Sequence, residues 1–174
     1  METHVGNLLD VQQGVICHGC NARGAFGAGI AKSIKEKWPF INGAYSNFLS
    51  TVDVYKDAVG TVFCLDSTIF VAKRSDNEPR LLIANLVTQE TYGRDPKVRY
   101  VSYDAVESCF KEVKRYVIEQ DREELFDIHF PLIGAGLGNG SWKIISGIIK
   151  AVFEDDKRFK LHLWVLPGTV IPKD

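Results

Sequence analysis

Cys17-His18-Gly19-Cys20-Asn21-Ala22-Arg23-Gly24-Ala25-Phe26-Gly27-Ala28-Gly29-Ile30-Ala31 places a histidine, an asparagine and a spread of glycines between two apolar segments. Val15 and Ile16 precede the run as strand residues, and Ile30, Ile34 and Trp38 follow at four-residue spacing along one helical face. The glycines therefore sit where a strand feeds a helix. At such a junction bare backbone N–H groups and the positive end of the helix dipole receive phosphate, and glycine lets a ligand approach the chain closely. The run implies an anionic, nucleotide-like ligand.

A second run, Pro131-Leu132-Ile133-Gly134-Ala135-Gly136-Leu137-Gly138-Asn139-Gly140-Ser141-Trp142, repeats this design. Phe126, Ile128 and Phe130 alternate before it as a strand does. Ile145, Ile148, Ile149 and Val152 keep helical spacing after it, with Ser141 as the N-cap. If both strands lie in one sheet, both loops open at its carboxyl ends, where open α/β sheets bind ligands, and one extended ligand can lie between them.

The composition bounds the answer. At 174 residues, 45% hydrophobic and 25% charged, residues 1–174 are expected to form one domain with a well-developed core. A net charge of −1 gives no broad positive field, so a small-molecule ligand is expected and duplex nucleic acid is not. No apolar run reaches membrane-spanning length and the N-terminus lacks a secretory core, so a cytoplasmic protein with no membrane partner is expected. Cys17, Cys20, Cys64 and Cys109 are expected to be reduced thiols. The Cys17-x-x-Cys20 pair has no matching second pair for zinc, and it ends a strand where a redox pair would open a helix; no metal and no cofactor are expected.

The pattern predicts strands over His4–Leu8 and Gly14–His18, then a helix over Gly27–Trp38 that Pro39 terminates, and a short helix over Asn42–Leu49. Thr61–Leu65 and Thr68–Ala72 read as a hairpin, Leu81–Thr88 as a buried strand, and Val106, Phe110, Val113 and Val117 as one face of a helix. A last strand is expected over Lys160–Leu166. Alternating strands and helices predict a sheet flanked on both faces. His129 and His162 read as packing residues within strands, and Trp38 and Trp164 as core. Trp142 can pack under its loop or against a ligand. Tyr92–Tyr100 reads as a solvated connector or as a lid with Tyr92 or Arg94 facing the ligand.

Gly6-Asn7-Leu8, His18-x-x-Asn21 with Gly27-Ala28-Gly29-Ile30-Ala31, and Gly134-Ala135-Gly136-Leu137-Gly138 occur in the order and context of the macro domain, and the chain resembles that family over nearly its whole length. The resemblance implies an α/β class fold of three layers, α/β/α, with a mixed, mostly parallel central sheet. It implies ADP-ribose as the ligand. Gly6, Asn7 and Leu8 then meet the adenine end, although many macro domains carry aspartate where this chain has Asn7. Gly27, Ala28, Gly29 and Ile30 clamp the diphosphate together with Gly134, Ala135, Gly136, Leu137 and Gly138. Asn21 bonds the distal ribose, His18 stands near its anomeric end, and Asn85 and Thr88 line the same cleft.

In detail the chain is similar to the branch whose members hydrolyse ADP-ribose 1''-phosphate or release ADP-ribose from protein. For phosphate release, the loops supply N–H groups to the transferring phosphoryl, Arg23 adds positive charge, and His18 and Asn21 are the catalytic residues, with His18 as general base or general acid. No aspartate cluster points to a metal, so metal-independent hydrolysis by a monomer is expected. Release of ADP-ribose from a macromolecule is the competing activity. Its lysine-and-aspartate form does not fit, because those positions fall near Gln89 and at Gly138. A non-catalytic ADP-ribose reader needs only the loops and Asn21. The bland alternative for His18 is a strand-end histidine that satisfies neighbouring polar groups.

Overall fold

A computed structural model describes residues 1–52, 55–66, 80–120 and 126–172. Its strands are β1 (Glu2–Val5), β2 (Gly14–Asn21), β3 (Val62–Asp66), β4 (Leu81–Gln89), β5 (Phe126–Phe130) and β6 (Phe159–Val165). Its helices are α1 (Gly29–Lys37), α2 (Pro39–Ser50), α3 (Tyr55–Ala58), α4 (Tyr103–Gln120) and α5 (Trp142–Phe153). The sheet runs β1-β6-β5-β2-β4-β3, parallel at every pairing except β3 with β4. This is the mixed, mostly parallel sheet expected. The Thr68–Ala72 half of the expected hairpin lies outside the described residues.

Alternation along the strands sorts the core into two layers. Val15 and Cys17 of β2 join Ala84 and Leu86 of β4 under α4 and α5, against Phe110, Val113, Ile145 and Ile149. Ile16 and Cys20 face the other way, with Ile83 and Val87, under Ile34 of α1 and Ile41 and Tyr45 of α2. Strand β4 is buried throughout except at its last residue, as a strand covered on both faces must be. Cys17 and Cys20 thus lie on opposite faces of the sheet, which rules out a shared ion or bond between them. Trp142 is buried in the α4/α5 layer.

Several boundaries differ from the sequence reading for local reasons. Strand β1 stops at Val5, and Leu8–Asp10 form a 3-10 turn that buries Leu8 and Leu9; the Asn7 side chain caps it by accepting from Leu9 N at 3.1 Å. Pro39 ends α1 and also starts α2, at the first-turn position where its missing N–H leaves no bond unmade. Helix α1 begins at Gly29, two residues later than expected. Strand β2 runs to Asn21, three residues beyond the expected end at His18. Ser141 caps α5 as expected, accepting from Ile144 N.

Candidate functional site

A cleft of about 1110 Å³ opens at the carboxyl ends of β2, β4, β5 and β6. Most of the expected ligand residues line it. Gly6, Asn7 and Leu8 stand at one end, beside Trp164, Val165 and Leu166 at the close of β6. Gly27, Ala28, Gly29 and Ile30 form one wall, and Gly134, Gly136, Leu137 and Gly138 the opposing one. Asn21, Thr88 and Gln89 form the floor, and Tyr92, Gly93 and Arg94 stand over it.

Asn21 holds the first loop in shape. Its Nδ2 donates to Ala25 O at 2.9 Å, and its Oδ1 accepts from Arg23 N at 3.1 Å and Ala25 N at 3.0 Å. Tyr45 Oη donates to the Asn21 carbonyl at 3.0 Å, anchoring the strand end to α2. Its side chain is thus committed to three bonds with the backbone of its own loop. Gly24 supplies the left-handed turn, at φ 72°. The loop delivers the start of α1 to the cleft, where the N-cap residue Ala28 makes no side-chain cap bond. The N–H groups of Gly29, Ile30 and Ala31 therefore face the cleft without a partner among the described residues.

The second loop is built by close packing. A Cβ on Gly134 would lie 2.8 Å from Val101 Cγ2, on Gly138 2.7 Å from Gly134 O, and on Gly140 2.6 Å from Val101 Cγ1. Gly140 N donates to Gly134 O, and the Gly138 carbonyl accepts from Tyr100 N and Val101 N. At Gly27 and Gly136, by contrast, a Cβ would meet nothing within 4 Å. Protein packing demands glycine at the first three positions, whereas at these two it leaves room against the backbone for a ligand. Asn139, at φ 53°, donates from Nδ2 to Asp95 O and Val98 O and so ties this loop to the Tyr92–Tyr100 segment.

Three expected ligand residues are placed elsewhere. Arg23 points away from the cleft and pairs with Glu90 at 3.3 Å. Ala135 packs against the α4/α5 core. Asn85 is fully buried.

His18, expected at the reacting end, is likewise fully buried and does not line the cleft. Its Nε2 lies 2.8 Å from Asn85 Oδ1, and Asn85 Nδ2 donates to Phe63 O at 2.9 Å. Because Asn85 therefore presents its oxygen, His18 carries the proton on Nε2 and leaves Nδ1 bare, with Cys20 Sγ 3.6 Å from Nδ1 and 3.7 Å from Nε2. Phe26 closes the ring edge-on. Burial lowers the His18 pKa to about 4, against which the Asn85 hydrogen bond pulls weakly upward. The imidazole is therefore neutral near pH 7 and lies behind the cleft floor. Burial also pushes the Cys20 thiol well above its ordinary range, which leaves it protonated and unreactive.

Among the described residues, Arg94 is the one charged side chain lining the cleft, and no carboxylate, histidine or lysine does so. The sequence reading missed Trp164 and Leu166. The signal for them was the parallel sheet itself, whose last strand must open at the same edge as the others. No helix among the described residues is long and apolar enough to cross a membrane.

No protein-family model matches the chain. The ADP-ribose 1''-phosphate phosphatase of Candida albicans is 24% identical over 129 residues, covering 74% of this chain and 75% of the relative. The protein of the same name from Debaryomyces hansenii is 25% identical over 146 residues, covering 78% and 80%. Among solved structures, a protein of unknown function from Bacteroides thetaiotaomicron superposes with a TM-score of 0.73 at 26% identity, over 93% of this chain and 95% of that one. The macrodomain of Thermus aquaticus DarG gives 0.72 at 23% identity, over 94% and 96%. Thermosipho africanus DarTG, solved in complex with ADP-ribose, gives 0.72 at 16% identity, over 96% of this chain and 42% of that one.

Proposed function

We propose that this chain, which has the fold of a macrodomain, belongs to that family, binds ADP-ribose between its two glycine loops and, as one domain of residues 1–174, releases phosphate from ADP-ribose 1''-phosphate. The carrying observation is the pair of orphan donor sets on one cleft. The N–H groups of Gly29, Ile30 and Ala31 line one wall, and those of Gly136, Leu137 and Gly138 the other, all without partners among the described residues. Backbone donors held in place suit a diphosphate, and a helix start adds the favourable end of its dipole. The names of the two fungal relatives support the terminal phosphate as the leaving group.

In that reaction a water attacks phosphorus in line, the bond from phosphorus to the sugar oxygen breaks, and the oxygen takes up a proton from solvent. The products are ADP-ribose and inorganic phosphate. Charge growing on the phosphoryl oxygens is met by backbone N–H groups and by Arg94, the charged side chain nearest to hand. Arg94 takes the part expected of Arg23, and His18 takes no part in proton transfer.

The absence of a carboxylate, histidine or lysine from the described lining favours a second reading, an ADP-ribose reader without turnover. Phosphate release from ADP-ribose 1''-phosphate, followed with and without EDTA beside calorimetric titration with ADP-ribose, separates the two. Multiple turnovers with lower turnover in Arg94→Ala support the phosphatase. Tight binding with no released phosphate supports the reader, and no binding of either compound overturns both.

A further inference from the structure

Three of the four histidines stand together on the face of β1, β6 and β5 opposite α4 and α5, outside the ligand cleft. His4 Nε2 lies 2.9 Å from His162 Nδ1, and Glu2 Oε2 lies 3.9 Å from the first and 3.8 Å from the second. Donor atoms around a tetrahedral ion with bonds of 2.0–2.1 Å are about 3.3 Å apart, and these three separations bracket that value. From the other side Asp127 Oδ1 sits 2.8 Å from His162 Nε2. A carboxylate accepts, so His162 donates from Nε2 and its Nδ1 lone pair is fixed toward His4 and Glu2. This is the outer carboxylate that orients a metal-bound imidazole.

We propose that Glu2, His4 and His162 form a site for a divalent transition metal of the zinc class, with Asp127 as a positioning residue. Two imidazoles and one carboxylate suit such ions and leave coordination positions open. Without metal, neutral His4 donates from Nε2 to His162 Nδ1; on binding, solvent exchanges that single ring proton to His4 Nδ1, so that His4 Nε2 and His162 Nδ1 both present lone pairs to the ion. Glu2 is largely exposed and His4 one-third exposed, so the site is open to entry from solvent. The ring of His162 stacks on His129 and that of His4 on Trp164, with centroids 4.7 Å apart in each case, so both ligand rings are held flat in place. A bound ion would clip the edge strand β1 to β6, next to Trp164, which lines the cleft.

The test is titration of the untagged full chain with zinc sulfate by calorimetry, and with cobalt chloride by visible absorption. One equivalent should bind, with cobalt bands free of sulfur-to-metal charge transfer. His4→Asn should weaken zinc binding at least 100-fold, and Asp127→Asn 10–100-fold. Circular dichroism should confirm that both variants fold, and a raised Tm with zinc in the parent but not in His4→Asn gives an independent readout. No stoichiometric binding, a sulfur charge-transfer band, or equal affinity in folded His4→Asn would overturn the proposal.

Discussion

His18 and Asn85 face each other in register across the β2–β4 pair, and the 2.8 Å bond between their side chains joins two strands inside an otherwise apolar layer. With a folded pKa of about 4 against 6.5 when unfolded, His18 takes up its proton more readily in the unfolded chain. Its contribution is therefore fully present above pH 6.5, is lost as pH falls toward 4, and amounts to about 3 kcal/mol over that window. Burial lowers the His129 pKa to about 4 as well, so urea unfolding of the parent at pH 7 and pH 4.5 should show a loss of at least that order, and His18→Gln should remove about half of it. The same variant should leave phosphate release, where present, within about threefold of the parent at pH 7. A hundredfold fall in a well-folded His18→Gln would restore the histidine to the reaction.

Asn21→Ala removes the donor to Ala25 and the acceptor for two N–H groups. The loop before α1 should loosen, raising the Kd for ADP-ribose about 10–100-fold by titration, which is 1.4–2.8 kcal/mol. Asn21→Asp should bind more weakly still, because it sets a carboxylate against the Ala25 carbonyl and adds negative charge beneath the phosphate wall.

The glycines of the second loop should divide into two groups. Gly140→Ala places a methyl among Val101, Ile145 and the Gly134 carbonyl. Tm should drop by roughly 3–10 °C, from a strain of about 1–3 kcal/mol. Gly136→Val meets no protein atom within 4 Å at its Cβ, so Tm should hold within about 2 °C while ADP-ribose affinity falls at least tenfold.

Asn139→Gly preserves the left-handed backbone at φ 53° and deletes the two bonds to Asp95 and Val98. Proteolysis and hydrogen exchange should increase over residues 91–100, and ligand dissociation should quicken more than association slows.

Much of this arrangement is legible in the sequence because glycine and apolar periodicity report local geometry. Gly24, Gly27 and Gly29 mark a strand-to-helix passage whatever surrounds them, and Gly134 to Gly140 do so again. The place of His18 was not legible for a reason of parity. With β2 ending at His18, that side chain would stand at the strand mouth; the strand in fact continues to Asn21, and alternation turns residues 16, 18 and 20 into the α1/α2 layer. The pairing of Arg23 was not legible either, since Glu90, just past the carboxyl end of β4, comes beside it only because Asn21 and Gln89 pair across the sheet. The grouping of Glu2, His4 and His162 is invisible to any spacing rule, because pairing of the first strand with the last is what creates it.

The bonds that Asn21 makes to its own loop bear on how fast a ligand is caught as well as how tightly. A phosphate wall already frozen by the folded chain has no chain entropy left to surrender on contact. Encounter should then lead to capture in a single kinetic step, with heat released from the first collision and no lag while a loop finds its shape.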